Sequence, residues 1–357
     1  MNLPQRLAQF DAGAQDRQMI NPALSHLGWT QDFQAACQAA ALPNAAPYRI
    51  AMLHKSRAEV LGTDGPASLI FPPDMTSADV AVGDFVLAEA GRICHTLPRH
   101  SLLQRRAAGT GVGLQLIAAN VDTMLIVTAC GLEFSAARVE RYLVLAHASG
   151  TAPVIVLTKA DVIDPEPFIA QATSVAGGAR VLALNAKTGA NALLPYIAAG
   201  KTAVLMGSSG VGKSTLANGL LGAETLATGG VREKDERGRH TTTARHLFAL
   251  PNGGWLIDTP GVREVQLADV DAGIDMLFGD ILALAEDCRF RNCQHKSEPG
   301  CAVTAAIERG EVDAPRVERW RKLVAEGAGN AAALTQSQTR AAGRHTKKSA
   351  AKHSGQD

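Results

Sequence analysis

A chain of 357 residues, 46% hydrophobic and 19% charged, is too long for one ordinary core and suits two or three soluble globular domains. A formal net charge of +1 excludes a global basic field that would draw it onto nucleic acid, so any such contact must come from local patches. The start, MNLPQRLAQFDAGAQ, has no basic segment followed by an apolar run, and no apolar stretch reaches the length of a membrane span; a cytoplasmic, monomeric protein with no membrane contact is expected.

Residues 1–46 are rich in Ala and Gln, and Leu24, Leu27, Trp29 and Phe33 fit a short helical extension. Over 47–105 the pattern changes to short β-like runs, Tyr48–Leu53, Ala58–Leu61, Ala67–Phe71 and Asp84–Ala88. They are split by turn signals such as Thr63-Asp64-Gly65-Pro66 and Pro72-Pro73-Asp74. Several short strands in so few residues predict a small β-barrel of the oligonucleotide-binding (OB) kind. From 106 to 280 apolar strands alternate with helical stretches, which predicts an α/β domain with a mostly parallel sheet covered on both faces. Its strands are Met124–Thr128, Val154–Leu157, Arg180–Leu184, Ala203–Met206, His246–Leu250 and Trp255–Ile257.

Several of these strands run into loops with chemistry. Thr158-Lys159-Ala160-Asp161 follows the second and matches the guanine-specificity pattern N/T-K-x-D. There the Asp161 carboxylate would accept from N1–H and the exocyclic amine of guanine, and the Lys159 stem would lie over the base. Alone, the same four residues read as a helix N-cap. Asn185-Ala186-Lys187 follows the third strand and suits a companion loop whose backbone N–H meets O6, with Asn where Ser is more usual.

The fourth strand leads into Gly207-Ser208-Ser209-Gly210-Val211-Gly212-Lys213-Ser214, with Thr215 opening a helix to Leu221. This is a phosphate-binding loop in its proper strand–helix setting. Its glycines let N–H groups face phosphates, the helix N-terminus adds a favourable dipole, Lys213 neutralises β- and γ-phosphates, and Ser214 ligates magnesium. Arg239-His240-Thr241-Thr242-Thr243 then reads as a switch, with Thr242, or Thr241 close behind, completing the magnesium shell; a polar surface loop is the plain alternative. Asp258-Thr259-Pro260-Gly261 closes the last strand, so that Asp258 holds magnesium and the Gly261 N–H meets the γ-phosphate. Val262 stands where many GTPases carry a water-orienting glutamine, which predicts slow unaided hydrolysis and leaves His240 or a group in trans to place the water.

Over 281–325, Cys288-x4-Cys293-x-His295-x5-Cys301 offers three thiolates and an imidazole, a closed tetrahedral set for one structural zinc per chain. Arg289, Arg291 and Lys296, and a helix with Arg316, Arg319, Arg321 and Lys322, would either grip RNA phosphates or be ordinary solvated charge. Residues 326–357, Ala- and Gly-rich with scattered Lys and Arg, have the composition of a disordered basic tail.

The base-reading loops precede the phosphate loop, the reverse of an ordinary small GTPase, so the domain reads as circularly permuted. This order, the R-x-H-T-T-T switch, the G-S-S-G-V-G-K-S-T-L-x-N loop and the Cys/His cluster resemble the ribosome small-subunit-dependent GTPases of the RsgA/YjeQ family. So do Arg105-Arg106-Ala107-Ala108-Gly109 and Gln115-Leu116-Ile117-Ala118-Ala119-Asn120-Val121-Asp122, which look like that family's opening of the GTPase domain. The resemblance covers 48–325. It implies an N-terminal OB barrel, a permuted P-loop GTPase domain and a C-terminal zinc domain, GTP and GDP as ligands, and the small ribosomal subunit with its rRNA as partner in late maturation. Two other readings stand beside it: an ATPase or nucleotide kinase, which would leave Lys159 and Asp161 idle, and a zinc-dependent RNA-binding module whose nucleotide only switches affinity.

Overall fold

The computed structural model describes residues 21–106, 114–222, 245–258 and 270–329. Two short helices open it, α1 (Pro22–His26) and α2 (Gln31–Ala39). The side chains of Asn21 and Thr30 accept from the backbone at their N-termini. Leu24, Leu27, Trp29 and Phe33 are all buried, and Trp29 and Phe33 pack on Phe85 with ring centroids 5.2 and 4.5 Å apart. The apolar residues of the extension therefore bury against the next element rather than standing free.

That element is a closed five-stranded barrel of β1 (Ala46–Leu53), β2 (Arg57–Gly62), β3 (Gly65–Ile70), β4 (Phe85–Glu89) and β5 (Arg92–Thr96). Its order is β1-β2-β3-β5-β4, and β4 pairs back onto β1. Four of the strands answer to the expected runs. The fifth, β5, was not anticipated, because Arg-Ile-Cys-His-Thr places only Ile93 in the core. A hairpin, β6 (Leu102–Arg106) and β7 (Leu114–Ala119), connects the barrel to the larger sheet.

That sheet consists of β8 (Thr123–Ala129), β9 (Ala152–Thr158), β10 (Arg180–Ala183), β11 (Thr202–Met206), β12 (His246–Ala249) and β13 (Trp255–Asp258). The order is β10-β9-β8-β11-β13-β12, parallel except for β12. Its strands alternate between two cores, as a pleated strand buried on both faces must. Met124, Ile126, Ile155 and Val204 face α3 (Ala136–Ala148) and α4 (Glu166–Val175), while Leu125, Val127, Val156 and Leu205 face α5 (Lys213–Leu221) and the 3-10 helix Ala190–Tyr196.

Strand β12 also pairs with β1, Met52 opposite His246, so sheet and barrel are continuous. Arg49 clamps this joint from inside: it is 1% exposed and donates to the Leu27 carbonyl (2.6 Å) and the Thr202 hydroxyl (2.7 Å). Its guanidinium lies near the Phe85 and Trp255 rings, and burial lowers its pKa to about 10.

At the C-terminal end lie α6 (Asp271–Leu277), α7 (Gly279–Glu286), α8 (Ala302–Glu308) and a helix over 314–329, here α9. The arginines of α9 do not stand free as an RNA-gripping row would. Arg319 pairs with the buried Glu140 of α3, Arg316 with Asp280, and Arg321 with the His295 carbonyl and Glu318. Glu326 takes both terminal nitrogens of Arg141 at 2.6 and 2.7 Å. Charge placed on this helix fastens it to the α/β domain.

Candidate functional site

The phosphate loop bridges β11 and α5. Gly207 can only be glycine, because a Cβ there would come within 2.1 Å of the Val127 carbonyl oxygen on β8. Gly212, at φ +98°, is the N-cap of α5 and supplies no side-chain cap, so the first N–H groups of the helix remain available to an anion. Val211 is buried in the core beneath the loop. The Lys213 ammonium curls back over the loop and donates to the carbonyls of Gly207 (2.8 Å) and Ser208. A nucleotide phosphate would replace these neutral acceptors with charged ones.

The base loop is tied to the phosphate loop. Thr158, fully buried at the end of β9, donates its hydroxyl to the Val211 carbonyl at 2.6 Å. The plain reading of Thr158–Asp161 as a helix cap is not what forms: α4 starts at Glu166, its N-cap is Pro165, and the side chain that accepts from its first N–H, at 3.2 Å, is that of Asp164. The Asp161 carboxylate is exposed and makes no hydrogen bond or ion pair among the described residues. Lys159 adopts φ +61°, with its carbonyl bonded to the N–H groups of Val162 and Ile163. Its ammonium meets the Glu133 carboxylate at 2.8 Å, a partner from the β8–α3 loop that nothing in the sequence signalled.

The companion loop explains its own unusual residue. Asn185 Oδ1 accepts from the Lys187 N–H at 2.8 Å, and the Asn185 carbonyl accepts from the Gly189 N–H. This side-chain turn does the work a serine would do less strongly. It engages Lys187 and places Ala186 beside Gly212, at 3.4 Å from where a Cβ on that glycine would be. Asp258 ends β13, level with Leu205 of β11, as Val204 and Ile257 are partners. Asp258, Gly207, Thr158 and Asn185 thus stand together at the carboxyl edge of one parallel sheet, where open α/β sheets bind ligands. His240, Thr241, Thr242, Gly261 and Val262 lie outside the described residues.

The second site joins Cys288, Cys293, His295 and Cys301, whose ligand atoms all lie within 4.8 Å of one another. Cys288 Sγ is 3.9 Å from Cys301 Sγ and 3.4 Å from His295 Nδ1, and Cys301 Sγ is 3.7 Å from that nitrogen. Metal–sulfur bonds of about 2.3 Å in a tetrahedron give sulfur–sulfur edges of about 3.8 Å, so the set fits one ion; a disulfide would need about 2.05 Å. The surroundings hold the ligands in place. Cys301 caps α8 and accepts from the Thr304 N–H, His295 sits at φ +54° with its carbonyl held by Arg321, and its ring lies 5.3 Å from Trp320. Burial opposes a Cys301 thiolate, but hydrogen bonds from Thr304, His295 and Cys293 together outweigh it and bring the thiol to about 6. Glu298 organises the turn by accepting from the N–H groups of Lys296, Gln294 and Ser297, which lowers its carboxyl to about 2.

Residues 96–268 match the RsgA GTPase family. The chain is 48% identical over 318 residues to the small ribosomal subunit biogenesis GTPase RsgA of Mesorhizobium japonicum, covering 87% of this chain and 91% of that one. It is 43% identical to RsgA 2 of Vibrio vulnificus, covering 89% and 91%. Among solved structures, YjeQ from Thermotoga maritima superposes with a TM-score of 0.58 at 25% identity, covering 80% of this chain and 99% of that one. The circularly permuted GTPase YloQ shares the fold with a TM-score of 0.55 at 24% identity, covering 83% and 96%.

Proposed function

The chain belongs to the RsgA GTPase family and is a GTP hydrolase, and on that footing we propose that it acts in late maturation of the small ribosomal subunit. The observation that carries the nucleotide part is the 2.6 Å hydrogen bond from Thr158 to Val211, which fixes the base loop against the phosphate loop. In this reading Asp161 reads the guanine edge, Lys159 covers the base, and the Ala186 N–H, with Lys187 beside it, meets O6. Residues Gly207 to Thr215 wrap the phosphates, with Lys213 offsetting their charge. Magnesium, when bound, supplies charge neutralisation at the terminal phosphates, and Ser214, Asp258 and Thr242 would hold it. The Cys/His set takes one structural zinc per chain. Residues 47–105 form the barrel unit, 106–280 the nucleotide domain and 281–325 the metal module. The protein works as a cytoplasmic monomer; among the described residues no helix is long and apolar enough to cross a membrane.

Asp161→Asn tests the base. Losing a carboxylate that makes two charge-assisted bonds should weaken GTP by about a hundredfold and leave ATP unchanged, so that preference for GTP collapses. Titration of both nucleotides decides it; an unaltered preference would return the site to an ATPase or kinase reading.

Turnover tests the partner. With valine after the D-x-x-G glycine the isolated protein should hydrolyse slowly, and purified small subunits should accelerate it by on the order of tenfold or more, since groups supplied in trans to GTPases achieve at least that. Equal rates with and without subunits would remove the ribosomal role. His240→Ala, assayed alongside, keeps stimulation if the subunit places the water and loses it if His240 does.

A further inference from the structure

We propose that Glu133 is a positioning residue for guanine nucleotides: it holds the Lys159 ammonium so that the lysine stem is laid out across the base site before the base arrives. The inference rests on the guanine reading of Thr158–Asp161 given above. Lys159 has nearer acidic neighbours in the chain, Asp161 and Asp164, yet its ammonium reaches a carboxylate 26 positions away on another loop, at 2.8 Å. The direction of that reach matters. Glu133 follows β8, and β8 lies between β9, which carries Lys159, and β11, which carries the phosphate loop. The pair therefore draws the side chain from the base loop toward the phosphate side, the direction in which a nucleotide lies.

Both ends of the pair are anchored. The left-handed Lys159 backbone is pinned by two hydrogen bonds to its carbonyl, from Val162 and Ile163 at 3.1 Å each. Glu133 lies in a turn closed by the Phe134 N–H to the Gly131 carbonyl, at 3.0 Å. Its own carbonyl accepts from Arg138 of α3. The two loops are joined by the Cys130 N–H to the Thr158 carbonyl, at 2.9 Å. A free lysine has a flexible four-carbon stem whose ordering on binding costs affinity; a carboxylate that orders it beforehand removes part of that cost. The two side chains are 42% and 48% exposed, so the effect is modest and screened by salt.

The test is titration of GDP and GTP onto the full chain and its Glu133→Gln variant, at about 50 mM and about 500 mM salt. At low salt the variant should bind both nucleotides about two- to fivefold more weakly, the range open to an exposed pair, with its preference for GTP over ATP and its melting temperature unchanged. At high salt the two proteins should converge. Equal affinity at low salt overturns the proposal, and so does a loss of the same size at both salts, because that would not be electrostatic. Asp161→Asn measured in parallel separates the two ideas. If it abolishes the GTP preference while Glu133→Gln changes nothing, only the role of Glu133 falls; if the preference survives Asp161→Asn, the guanine site itself falls.

Discussion

Stripping the metal with a chelator is expected to unfold residues 288–308 while α9, held to the α/β domain by Arg319 and Glu326, and nucleotide binding survive. The loop from Cys288 to Cys301 has few apolar side chains of its own, and its exposed Phe290 contributes little. Beside the Glu298 and Arg321 hydrogen bonds, what fixes it is the convergence of four ligands. Cys301 then starts α8, whose Val303 and Ala306 pack with Val317, Trp320 and Leu323 of α9. Losing the ion removes the start of α8 and the anchor of His295, against whose ring Trp320 lies. Binding free energies of structural zinc are about 10–16 kcal/mol in small peptides, more than a module of this size can replace. Metal analysis should return one ion per chain, and Cys301→Ser should lower that and mimic chelation. Hydrogen exchange reads the outcome: protection in α8 should collapse while α9, β8, β9 and β11 keep theirs. A metal-free protein with full protection in α8 would refute a structural metal.

Arg319→Ala should destabilise the fold by about 3–5 kcal/mol, because it leaves Glu140 as an unpaired carboxylate in the interior. Burial already raises the Glu140 carboxyl above its ordinary value even with Arg319 beside it. Without the arginine it rises further. An acid whose folded pKa exceeds its unfolded one is a stabilising proton acceptor at low pH, and that contribution is lost as pH climbs through the folded value. The variant should therefore lose less stability near pH 5 than near pH 8. Replacing both residues by leucine should recover most of the loss, since paired charges in an interior are often matched by apolar side chains of similar size. Denaturant unfolding at the two pH values gives the result; a loss below about 1 kcal/mol at pH 8 would mean that Glu140 finds another partner.

Glycine patterns, apolar runs and cysteine spacing made most of the fold readable in advance, because those signals are local. The phosphate loop needs glycine where its backbone passes β8, and the buried strands need unbroken apolar residues. The Cys/His spacing needs no partner from afar to be recognised. Strand β5 escaped because a barrel strand with one inward residue leaves no period to detect. The α9 arginines were legible as charge but not as partners of Glu140 and Asp280, which lie 179 and 36 positions away in the chain. Glu133 escaped for the same reason, as its role is fixed by which strand lies beside β9. The helical extension was readable from Leu24 to Phe33, but its burial against Phe85 is a tertiary fact. The catalytic switch, His240 and Thr242, falls outside the described residues and stays an expectation.

The rotated strand order has a consequence for the protein's own synthesis. Within the α/β domain, strands β8, β9 and β10 leave the ribosome before the others and can pair with one another, since they are neighbours in the finished sheet. In that early unit β8 is an open edge, although it is buried along its whole length in the complete protein. Its proper neighbour, β11, begins at Thr202, 73 residues after β8 ends at Ala129 (202 − 129). At about 5–20 residues per second the edge waits about 4–15 seconds for its partner. An apolar edge exposed that long invites pairing with the wrong chain. A nascent chain stalled before β11 should therefore aggregate more readily than one stalled after α5, and the strand that ends in the phosphate loop doubles as the cap that closes this exposed edge.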